Sequence, residues 1–193
     1  MTVDFREFEA LTVEDFAQDR YRIVKTEPLG EEKLVVKVLY PGSFDPVHNG
    51  HMEICAASSR MFDHVVVAVM RNPQKSSPLF DDEERISMLA EACAHLTNVE
   101  VVQFGELVVD LAQRLNVDFI VKGLRSSADF ESELQMAQTN KSVSGVETVF
   151  LPSSSENSFI ASKYIRDITL FGTDCSHLVP DSVAERLREK MPK

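Results

Sequence analysis

Five short apolar runs, separated by stretches with helical spacing, limit what this chain can fold into. The runs are residues 34–40, 64–70, 99–104, 119–121 and 148–151. They are rich in Val and Ile and lack strict polar alternation, which is the pattern of parallel strands buried on both faces. Between them, "DDEERISMLAEACAHL" sets Ile86, Leu89, Ala90, Cys93 and Leu96 at helical spacing behind an acidic first turn. "ELVVDLAQRLN" does the same with Leu107, Val108, Leu111, Ala112 and Leu115, and "DFESELQMAQTNKSV" with Phe130, Leu134 and Ala137. A further helix is expected to stop at Gly172 and the last to start after Pro180. This order predicts a doubly wound α/β domain with a five-stranded parallel sheet. Such sheets bind ligands outside the carboxyl ends of their strands, where the strand order reverses.

Residues 1–33 stand apart. They hold nine of the 31 acidic residues, and their apolar residues are scattered. Thr12 followed by acidic residues resembles a helix start, and Pro28-Leu29-Gly30 is a turn signal. The segment reads as an acidic extension, either one short helix or a disordered tail, on a domain of residues 34–193. At 44% hydrophobic residues the chain can bury a full core, and its net charge of -11 disfavours non-specific nucleic-acid binding. A local basic pocket remains possible. Cys55, Cys93 and Cys175 form no C-x-x-C pair, so neither a disulfide framework nor a zinc site is expected. A reduced, cytoplasmic setting fits them, with Cys55 and Cys93 as small core residues. The longest apolar run is too short to cross a bilayer, and the acidic start does not read as a signal peptide.

The first run leads into "YPGSFDPVHNGHM", residues 40–52. This loop lies where a crevice is expected and opens a helix whose free N–H groups favour an anion. Gly42 and Gly50 allow close approach of backbone to a ligand, and Ser43 adds a hydroxyl. His48 and His51, three apart, share one side of the first turn, where imidazoles suit stabilisation of transition-state charge. Any one of these features would fit a structural turn with capping histidines; together they point to function. The loop is neither a P-loop nor a dinucleotide fingerprint. After the fourth run, Lys122 and Arg125 flank Gly123, which is expected to turn the chain between two cations suited to a polyphosphate. A surface ion-pair cluster is the alternative. His64, His95 and His177 lie outside these motifs and read as surface or structural residues.

"GSFDPVHNGH" resembles the H-x-G-H signature of the nucleotidyltransferase superfamily. "VKGLRSSADFESELQMAQTNK" and "SFIASKYIRDI" closely resemble the phosphopantetheine adenylyltransferases, and the likeness runs from Leu34 to about Met191. It implies a Rossmann-like fold and transfer of an adenylyl group from ATP to 4′-phosphopantetheine. It also implies Mg²⁺ carried on the ATP phosphates with no dedicated metal site, and a homohexamer. The catalytic set it implies is Ser43, Lys75, His51 and Arg125. The ATP set is Ser43, Phe44, His51, Gly123, Arg125, Glu133 and Ser162. The phosphopantetheine set is Ser43, Lys75, Leu107, Lys122, Thr139 and Asn140. For Lys75, Leu107 and Thr139, ordinary solvation or packing is the plainer reading of the residues alone. His48 takes a position whose role the resemblance leaves open, and Ala161 and Lys163 replace serines usual in the family. Two other readings stay open: a same-fold transferase using another acceptor such as nicotinamide mononucleotide, and a non-catalytic nucleotide- or coenzyme A-binding regulator.

Overall fold

The computed structural model describes residues 35–71 and 78–192. The expectations for residues 1–33 and for Lys75 fall outside the described residues.

Strands β1 (Lys37–Gly42), β2 (His64–Met70), β3 (Val99–Phe104), β4 (Phe119–Leu124) and β5 (Glu147–Pro152) form one parallel sheet in the order β3-β2-β1-β4-β5. The order reverses between β1 and β4, which sets the crevice between their carboxyl ends. Helices α1 (Asn49–Met61), α2 (Asp82–Cys93), α3 (Val108–Arg114), α4 (Ser127–Ser144), α5 (Ser162–Leu170) and α6 (Asp181–Lys190) connect and cover the strands.

Alternate strand residues face opposite sides of the sheet, and two cores result. Val38, Val65, Val67, Val69 and Val121 pack with residues of α1, α2, α5 and α6. Leu39, Val66, Ala68 and Ile120 pack with Leu111 and Ala112 of α3. Cys55 and Cys93 are free thiols buried in the larger core, as expected.

Several local expectations differ. Strand β1 begins at Lys37 rather than Leu34 and runs on through Pro41 and Gly42, paired with Ala68 and Val69. Strand β4 extends past Val121, because pairing with β5 continues to Leu124 opposite Pro152. Lys122 and Gly123 therefore lie within the strand, not in a turn after it. A Cβ on Gly123 would come within 3.0 Å of Ile54 Cγ1, so this glycine lets α1 approach β4 closely. The edge strands β3 and β5 are only partly buried, since each has a neighbour on one side alone. Helix α4 buries none of its residues; Phe130 is half exposed, with its ring edge against Phe150.

Candidate active site

A cleft of about 380 Å³ opens at the carboxyl ends of β1 and β4. Its floor is the start of α1. There His48 Nδ1 accepts from the N–H of His51, and His51 Nδ1 accepts from the N–H of His48, each at 3.3 Å. This is a reciprocal capping box made of two histidines. With both Nδ1 atoms accepting, each neutral ring carries its proton on Nε2, as a donor. The rings stack at 3.7 Å and 20°. Burial, and then the Arg125 charge, lowers His48 from 6.5 to about 4. Burial, His48 and Arg125 hold His51 well below its ordinary value. Both imidazoles are neutral at pH 7.

The loop before α1 is fixed from several directions. Phe44 is buried at positive φ, its ring edge-on to Tyr40 and His51. That ring occupies the space beside Gly42, where a Cβ would meet it at 2.9 Å. At Gly50 the room is taken by the His48 ring and the carbonyl of Asn157. Both glycines line the cleft, and the space that a Cβ would take on each is filled by the protein's own groups. Asp45 is buried and accepts from the N–H groups of Leu79 and Phe80. Arg166 donates to the Asp45 carbonyl at 2.6 Å, and the Ser162 hydroxyl donates to Pro46 O at 3.0 Å. Buried Arg85 donates to Ser43 O at 2.6 Å and Met70 O at 3.1 Å, which pins the ends of β1 and β2 together.

The walls carry cations. Lys122 pairs with Glu133 at 3.2 Å. Arg125 pairs with Asp129 at 2.8 Å and donates to Ile160 O at 3.1 Å. Arg166 lies 3.5 Å from the Asp45 carboxylate. Helix α5 begins beside them at Ala161, which supplies no side-chain cap. Ala161, Ser162 and Lys163 line the cleft, and the first N–H groups of a helix, which have no partner within it, favour an anion.

Residues 39–168 match the model of the cytidylyltransferase-like family. The phosphopantetheine adenylyltransferase of Gloeobacter violaceus is 48% identical over 153 residues, covering 79% of this chain and 94% of that protein. Its counterpart from Finegoldia magna is 44% identical over 155 residues, covering 80% and 95%. The chain belongs to the phosphopantetheine adenylyltransferase family. A solved structure from Vibrio parahaemolyticus, assigned as a nicotinate-nucleotide adenylyltransferase, aligns over 79% of this chain and 98% of that one with a TM-score of 0.57. At 18% identity that likeness is one of fold.

In this member of the phosphopantetheine adenylyltransferases, most of the residues singled out by sequence meet in one cleft. Ser43, Phe44, His48 and His51 come from the first loop and α1, Lys122 and Gly123 from β4, Arg125 from the short link after it, and Glu133 from α4. Ser162 joins them from α5. Leu107, Thr139 and Asn140 do not line it. Leu107 is exposed at the start of α3. Thr139 is exposed, with its hydroxyl on Gln135 O. Asn140 is half-buried on the same helix. Sequence reasoning missed Asp45, Arg85 and Arg166. For Arg166 a signal existed: it lies four residues after Ser162 in a helical segment, hence on the same face.

Proposed function

We propose that the 4′-phosphate of phosphopantetheine attacks the α-phosphate of ATP in this cleft. A new P–O bond to the acceptor forms as the bond to the pyrophosphate group breaks. Dephospho-coenzyme A and pyrophosphate are the products. The observation that carries this reading is the family membership, at 44–48% identity to relatives matched over nearly their whole length. The geometry supplies a mechanism consistent with it. The acceptor phosphate is already an anion, so no protein base is needed. Charge growing on the α-phosphate oxygens meets the Nε2–H donors of neutral His51 and His48 at the positive end of α1.

Arg125, Ser162 and the start of α5 serve the ATP phosphates, with Glu133 close by. Lys122, Ser43 and Lys75 serve the acceptor phosphate, while Leu107, Thr139 and Asn140 are assigned to the pantetheine arm. Magnesium enters as part of the ATP substrate. The cleft carboxylates support this: Asp45 is taken up by two backbone N–H groups and Arg166, and Glu133 by Lys122. We place the enzyme in the cytoplasm, where free buried cysteines stay reduced, and assemble it as a homohexamer. No helix of the described residues is long and apolar enough to cross a membrane.

The deciding assay is pyrophosphate release from ATP with a panel of phosphorylated acceptors. Turnover is expected with phosphopantetheine. Turnover with nicotinamide mononucleotide alone would overturn the reading, and binding of ATP and phosphopantetheine without turnover would make the protein a regulator.

A further inference from the structure

Residues 154–160, between β5 and α5, form a turn that joins two parts of the cleft lining, Ser153 before it and Ala161, Ser162 and Lys163 after it. Its backbone bonds are Ser158 N–H to Ser154 O at 3.0 Å, Asn157 N–H to the same oxygen at 3.2 Å, and Ile160 N–H to Asn157 O at 3.1 Å. Longer side-chain bonds run from the Asn157 amide to Ser154 Oγ at 3.4 Å and from the Ser158 hydroxyl to Ser155 O at 3.3 Å. Ile160 is buried in the larger core, and hydrogen bonds hold the turn from outside at two places. Arg125 takes the Ile160 carbonyl. At the other end the carboxylate of Glu53, in α1, accepts three hydrogen bonds. They come from Ser154 N–H at 2.8 Å, Ser154 O–H at 3.1 Å and the Asn157 amide at 3.1 Å. Glu53 has no cation partner among the described residues, so its charge is satisfied by these donors. The turn packs against the start of α1, with Asn157 O at 3.4 Å from where a Cβ on Gly50 would sit.

We propose that Glu53 is a positioning residue for the ATP side of the cleft. It lies two residues after His51 on the same helix. One helix therefore carries both the imidazole donors and an anchor of the turn that leads into the uncapped start of α5. Donors that must meet one triphosphate group gain from being fixed relative to one another before it binds. Loss of Glu53 frees the turn at its Ser154 end while leaving the histidines and the acceptor side in place. The proposal rests on the function given above in assigning ATP to this side of the cleft.

The test uses the full chain with Glu53→Ala, Glu53→Gln and the double variant Ser154→Ala/Asn157→Ala. Readouts are the ATP dissociation constant without acceptor, KM for each substrate, and amide exchange of residues 153–161. Glu53→Ala is expected to weaken ATP about tenfold, the weight of one or two hydrogen bonds, with KM for phosphopantetheine changed less than about twofold. Glu53→Gln keeps an accepting oxygen and should fall between wild type and Ala. The double variant removes the partners instead and should reproduce the ATP effect even if the Ala variant fails to fold. Equal rises in both KM values, or a lowered Tm with unchanged ATP affinity, would overturn the proposal. If wild type binds ATP without transferring to phosphopantetheine, the assigned function fails while the ATP affinities still decide the role of Glu53.

Discussion

At the scale of single residues, the neutral histidine pair makes testable claims. Removing a donor to a developing oxyanion typically costs on the order of 3 kcal/mol, about a hundredfold or more in rate. His51→Ala should show that loss in kcat, with ATP affinity changed only a few-fold. His51→Asn keeps an N–H donor and should recover part of the rate; near-normal kcat in the folded Ala variant would remove His51 from the mechanism. The same pair predicts a pH effect on stability. Unfolded His48 takes up a proton as pH falls below 6.5, whereas the folded residue resists until about 4. The unfolded state binds more protons in that window, so stability is full above pH 6.5 and falls between there and pH 4. At about 1.4 kcal/mol per pH unit the gap amounts to roughly 3 kcal/mol. Denaturant unfolding across this range should show the decline, and a His48→Asn variant should lose it in part. The cations need more care, because Lys122→Ala strips Glu133 of its partner inside the cleft. In a Glu133→Gln background, Lys122→Ala should raise KM for phosphopantetheine more than for ATP, and Arg125→Ala should do the reverse. Equal effects on both substrates would refute the division of roles.

At the scale of elements, the contact between α1 and β4 can be tested directly. Gly123→Ala pushes a methyl group to within 3.0 Å of Ile54, which is itself buried. Overpacking of this kind costs about 1–3 kcal/mol. Trimming the neighbour in a Gly123→Ala/Ile54→Val double variant should return part of the loss, seen as a non-additive pair in unfolding midpoints. Additive losses would mean that the two residues do not compete for space. This contact also shows where sequence reading stops. Helical and strand periods place the elements, since burial repeats along each element. The ends of β1 and β4 lie beyond their apolar runs, because backbone pairing with a neighbour continues past them. Sequence reading finds a reason for Gly42 and Gly50 in ligand approach and for Gly123 in a turn, but it does not show that Phe44, His48 and Ile54 take the room beside them, brought there by folding. Arg85, Asp45 and Glu53 were illegible for the same reason. The partners described for them lie between 15 and 121 residues away, and no local pattern marks them.

At the scale of the whole molecule, both cores of the described residues are built from positions between 36 and 187. A chain starting near Lys33 is therefore expected to fold and keep most of its turnover. Collapse of activity in a folded, truncated protein would show that the acidic extension completes the site. The motifs that revealed the cleft were readable because each lies at the carboxyl end of a strand or the start of a helix, where the topology must bring them together. What no motif showed is that the cations arrive already matched: Lys122 with Glu133, Arg125 with Asp129, Arg166 with Asp45. The cleft therefore behaves like an ion-exchange resin stored in its salt form. Bare guanidinium and ammonium groups would gather any small anion of the cell. Here an incoming ligand must displace resident carboxylates, and an isolated singly charged anion has too little charge in one place to do so. A chain of phosphates can trade for several partners at once, so the pairing that keeps the empty site quiet also sorts solutes by charge density.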